Sequence, residues 1–160
     1  MKTRKALTAV IATAAVASAI TATTVLAAPA SAVPFPVTQI PASGVQVSGL
    51  VVPAPLFVGI TADSTSRRGW TAFTAPASPA VCSSSAAGML VDVDYVNTAT
   101  GHRGHVRMKP CPHFRDPAQF RPVAFTGSGQ ILFTTAIRGS WAYPNAGQPS
   151  IPGGGTFVAH

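Results

Sequence analysis

From Val33 onward, Gly, Pro, Ser and Thr break the chain roughly every eight to twelve residues, and no stretch between the breaks carries an apolar period of 3.6 with caps at its ends. Short strands fit this punctuation and long helices do not. Candidate strands fall at Val45–Val52, Leu56–Thr61, Trp70–Thr74, Met89–Val96, His105–Lys109, Ala124–Phe125, Gln130–Ile137 and Thr156–Ala159. Such a chain is expected to form a two-layer antiparallel β-sandwich, immunoglobulin-like in architecture, with a small β-barrel as the alternative. The immunoglobulin sequence hallmark is missing, because no Trp lies between the two Cys.

The N-terminus follows a different grammar. Lys2, Arg4 and Lys5 precede an apolar run from Ala6 to about Ala28, and small residues follow at Ala30 and Ala32. Residues 1–32 therefore read as a secretory signal peptide. An uncleaved membrane anchor is the alternative, since the run approaches the length of a bilayer span. Residues 33–43, with three Pro, are expected to run extended over the surface, and residues 44–160 to form a single sandwich domain.

Cleavage after Ala32 would leave eight basic residues against four Asp, taking the net charge from +7 to +4. These cations are too few and too scattered for a nucleic-acid footprint, so no nucleic-acid partner is expected. Two Cys in an exported chain most simply pair, and a Cys82–Cys111 disulfide would close a loop of about 30 residues. The composition, rich in Ala and free of Glu, is similar to that of exported proteins from high-GC Gram-positive bacteria.

The clearest strand pair lies around "MLVDVDYVNTATGHRGHVRMK". Met89, Val91, Val93 and Tyr95 are apolar at odd positions, with Asp92 and Asp94 between them, so one face is buried and the other wet. Val106 and Met108 continue the pattern on the second arm, and opposed residue numbers must add to an odd value to keep the apolar faces together. A tight turn at Thr100–Gly101 would set Asp94 opposite Arg107, Asp92 opposite Lys109 and Val93 opposite Met108.

Residues with chemistry are sparse. Arg67 and Arg68 stand beside Trp70 in "SRRGW", a combination that can hold an anionic or sugar ligand by charge and stacking. Arg103, Arg115 and Arg121 extend the candidate ligand contacts. His102, His105 and His113, with the more distant His160, are the weak candidates for a metal, but His102 and His105 would point to opposite faces of a flat strand, and no metal site is expected. No cofactor is implied. The motifs of serine hydrolases, zinc proteases, P-loop enzymes and calcium loops are missing from the sequence. The segment "GLVVPAPLFVGI" at Gly49–Ile60 is the most apolar beyond the signal, and reads as core strands, with a lipid-binding surface as the alternative.

These features lead to a secreted, non-catalytic binding or interaction domain of the bacterial cell envelope or extracellular medium. Its partner would be an anionic or glycan envelope component, or a protein. A small secreted hydrolase is the second reading. A membrane-inserted β-barrel or oligomeric pore is the third, disfavoured because the strands are shorter than the roughly 9–11 residues needed to span. Stable membrane insertion is not expected.

Overall fold

The computed structural model describes residues 32–160, so the signal-peptide reading lies outside it but for Ala32. The strands are β1 (Thr38–Ile40), β2 (Ala42–Val47), β3 (Pro53–Val58), β4 (Thr61–Ser64), β5 (Trp70–Thr74), β6 (Met89–Asn97), β7 (Arg103–Met108), β8 (Val123–Phe125), β9 (Gly129–Gly139) and β10 (Gly153–Ala159). One helical turn, α1 (Pro79–Cys82), interrupts them, started by the Ser78 hydroxyl accepting from the Val81 N–H at 3.3 Å.

All the strand pairs are antiparallel, and the chain is a β-sandwich rather than a closed barrel. A five-stranded sheet, ordered β1-β10-β9-β6-β7, forms one layer. A three-stranded sheet, β4-β5-β8, and a two-stranded ribbon, β2-β3, form the other. Period-two burial places Val91, Val93 and Tyr95 of β6 and Ile131, Phe133 and Ile137 of β9 inside. Phe157 of β10 is the hub between layers: its ring centroid lies 5.7 Å from Phe35, 6.1 Å from Phe73 and 6.2 Å from Phe133.

The β6–β7 hairpin keeps the expected faces but not the expected partners. The structure pairs Asp92 with Arg107, Asp94 with His105, Val93 with Val106 and Val91 with Met108, a shift of two residues from the register expected. A two-residue shift preserves every facing, which is why the alternation alone could not exclude it. The cause is Asn97, which is fully buried. Its Oδ1 accepts from the N–H groups of Ala99 and Thr100, and its Nδ2 donates to the carbonyls of Thr126 and Ser128. That network builds a longer loop, closed by the Asn97 N–H donating to the His102 carbonyl at 2.8 Å, with Gly101 at a φ of 73°.

The new register gives Asp92 a forked partner. Arg107 Nε donates to Oδ1 at 2.6 Å and Nη2 to Oδ2 at 2.9 Å, with Arg138 and His105 each at 3.8 Å. Lys109, expected opposite Asp92, instead donates to the carbonyls of Phe114 and Asp116. Burial works against the Asp92 carboxylate, but the Arg107 hydrogen bonds and the charges of Arg107, His105 and Arg138 outweigh it and hold its pKa below the ordinary value. A depressed folded-state pKa contributes stability that is present above the unfolded value and lost as pH falls through the folded one. We predict that Asp92→Asn destabilises by about 1–3 kcal/mol at neutral pH, the range for hydrogen bonds to charged groups. The deficit should shrink below pH 4 in chemical denaturation; an unchanged deficit at pH 3 would contradict the assignment.

The Pro-rich segment is extended but is woven into the fold. Phe35 is buried against Phe157, the Phe35 N–H donates to the Ala62 carbonyl, and β1 pairs with β10. Cys82 and Cys111 are bonded, with Cα atoms 5.5 Å apart. The bridge joins α1 to the loop after β7.

Candidate binding surface

The ribbon β2-β3 is the part of the sandwich whose chemistry departs furthest from a solvated surface. Its register opposes Ser43 to Phe57, Val45 to Pro55 and Val47 to Pro53 on one face, and Ala42 to Val58 and Gly44 to Leu56 on the other. The second face joins the core, with Ala42, Leu56 and Val58 buried. Gly44 permits this seating, since a side chain there would meet the Gly147 carbonyl. The first face has no covering layer: Phe57 is 69 % exposed, and Val45, Pro53 and Pro55 are also exposed.

The apolar stripe continues through the connection. Leu50 and Val51, at the tip, are 86 % and 81 % exposed, and Val52 follows them. The backbone there is closed on itself, with Ser48 N–H donating to the Val52 carbonyl and Val51 N–H to the Ser48 carbonyl. Val51 has a φ of 59°, in the left-handed region where a β-branched residue is strained by roughly 1–3 kcal/mol. The expectation that Gly49–Ile60 forms core strands thus holds for Leu56, Val58 and Ile60 and fails for Leu50, Val51, Val52 and Phe57. Both faces of β3 are apolar, so composition conceals that only one of them has a layer to pack against.

A loop adjoins the ribbon where the strands give way to the tip. The ribbon is tied to Ser85, three residues past the disulfide: Val47 N–H donates to Ser85 Oγ at 2.8 Å, and Ser85 N–H to the Val47 carbonyl at 2.9 Å. Ser85 in turn lines a shallow pocket of about 340 Å³ with Ala142, Tyr143 and Pro144. Trp141, beside it in sequence, is 79 % exposed. Ser85, Cys82, His113, Phe114 and Tyr143 share a second pocket of about 280 Å³. The disulfide therefore lies three residues from the loop contact that holds the tip end of the ribbon.

The residues singled out from sequence do not converge. Arg67 lies over the Trp70 ring at 4.2 Å, so this half-buried Trp is capped by the protein's own cation rather than offered as an open platform. Arg68 is exposed in the same loop, while Phe125 and His102 continue an aromatic row from Trp70 at centroid spacings of 5.9 and 5.4 Å. Arg103 lines an open groove of about 460 Å³ with Asp94, Val96, Leu132 and Thr134 on the outer face of the five-stranded sheet. Arg121 donates to Asp63 at 3.0 Å, and Arg115 is exposed in the loop after the disulfide. His105 Nδ1 is 2.9 Å from Asp94 Oδ1, His113 lies near the disulfide, and His160 edges onto Phe35. Among the described residues no three His, Cys, Asp or Glu side chains come together as a metal-ligand group.

Fold and surface together define an all-β, disulfide-stapled sandwich with an uncovered apolar ribbon at one end. No protein-family model, curated protein or solved structure matches the chain.

Proposed function

We propose that the protein is an exported, non-catalytic binding domain of the cell envelope or extracellular medium, a single sandwich of broadly immunoglobulin-like architecture that engages its partner through the β2-β3 ribbon. One observation carries this reading: an uncharged apolar stripe runs from Phe57 to Leu50 with no layer over it. The disulfide fits an oxidising compartment, and residues 1–32 have the order of an export signal. The carboxylates have structural occupations: Asp63 holds Arg121, Asp92 holds Arg107, Asp94 meets His105, and Asp116 Oδ1 accepts from the Ala118 N–H. Those partners favour binding over hydrolysis.

Co-sedimentation of the oxidised form beginning at Val33 with isolated envelope fractions tests the proposal. Apolar contact is not screened by salt, so retention is expected to weaken but persist at about 1 M, where the Debye length is near 3 Å. Loss of all retention by that point would assign binding to the scattered arginines instead. A protein that stays in the supernatant at every salt concentration would overturn the proposal.

A further inference from the structure

Resting on the binding-domain reading, we infer that the ribbon's occupant is the polar–apolar boundary of an anionic lipid bilayer, entered by Leu50, Val51 and Val52. Several independent features converge on lipid. No charged residue occurs between Val33 and Ala62, so entry of the ribbon desolvates no ion. The N–H groups of Ser48 and Val51 are bonded within the turn, which lowers the penalty for setting the turn at the polar–apolar boundary, where the remaining backbone groups still reach water and headgroups. Side chains held outward at the end of a closed turn can enter an acyl layer without unfolding the sandwich behind them.

The surroundings match the headgroup region. Trp141 and Tyr143, both exposed at this end, have the amphipathic rings that settle at a membrane–water interface. Arg115 and Lys109 belong to the loop whose Phe114 shares a pocket with Ser85 and Tyr143, and Lys109 is held by neutral carbonyls rather than a carboxylate. Asp116 is the acid in that loop cluster, with Oδ1 turned to the Ala118 N–H. A net positive rim around an apolar tip complements anionic headgroups.

A second copy of the chain is the competing occupant, and β3 opposes it. β3 is the outer strand of the ribbon, and Pro53 and Pro55 lack the N–H groups that a strand added at its edge would need. A lipid surface asks for no such ladder.

Flotation of the oxidised form beginning at Val33 with vesicles of phosphatidylglycerol and phosphatidylcholine tests the assignment. The wild type is expected to float with mixed vesicles and to bind phosphatidylcholine alone more weakly. The double variant Leu50→Ser, Val51→Gly should bind at least tenfold more weakly, because it withdraws two apolar side chains from the contact. It should also fold normally, since both positions are solvent-exposed and Gly relieves the positive φ; its unfolding curve checks this. Equal flotation of wild type and variant would overturn the tip assignment. No flotation of the wild type, with retention on envelope fractions intact, would overturn the lipid assignment while leaving the binding-domain reading in place. A sedimentation shift to a dimer, abolished in the same variant and without flotation, would replace lipid by a second copy.

Discussion

Replacing both Cys82 and Cys111 with Ala is expected to lower stability by about 3–4 kcal/mol, the chain-entropy value for a closed loop near 30 residues. This is a large fraction of the roughly 5–15 kcal/mol by which a domain of this size is stable. The expected consequence reaches past the loop itself. Ser85, three residues after Cys82, holds Val47 of the ribbon through two hydrogen bonds, so freeing the loop loosens the seat from which Leu50 and Val51 project. Urea unfolding of the double variant measures the first effect, and a rise in amide exchange at Val47 and Ser85 the second. A loss below about 1 kcal/mol would show that the unfolded chain is already constrained without the bond.

The second large effect is expected at Phe73. This fully buried ring stacks on Tyr95 at 5.7 Å and meets Phe157 edge-on, so it carries the three-stranded sheet onto the five-stranded one. Phe73→Ala should destabilise by about 3–5 kcal/mol, combining lost transfer energy with the cavity left between the layers. Phe125→Ala gives the contrast. Phe125 is 44 % exposed on the outer face of the same sheet, where its loss should be less than half as large. Similar losses at the two positions in urea unfolding would contradict the layer assignment.

How far the fold could be read from sequence depended on whether the deciding interaction was local. The alternation of Met89 to Tyr95 identified β6 and its buried face because one residue type per face is enough to fix facing. The register of its hairpin was not legible, since it is set by Asn97 reaching the carbonyls of Thr126 and Ser128 about 30 residues away. β4 escaped notice because "TADS" carries no apolar alternation, and its pairing with β5 supplies the order that its own propensity does not. β1 was hidden among prolines, yet Phe35 and the pairing with β10 incorporate that segment.

The candidate surface shows the same division. The Cys pair needed only a count and a compartment, and the nearness of Arg67 to Trp70 needed only three residues of chain. Arg121 meeting Asp63 across 58 residues had no signal in either neighbourhood. The ribbon was visible as an apolar segment, but whether such a segment is core or surface depends on what lies over it. That is a property of the sheet order, in which β2 and β3 pair with each other and form a ribbon covered on one face.

We place binding on the uncovered ribbon. Envelope retention of the wild type, measured beside the Leu50→Ser, Val51→Gly variant at fixed salt once both are shown to unfold at similar urea concentrations, decides whether the ribbon binds. Retention of the variant is expected to fall at least tenfold. Retention equal to that of the wild type would contradict this placement and move the search to Arg67, Arg68 and the groove beside Arg103.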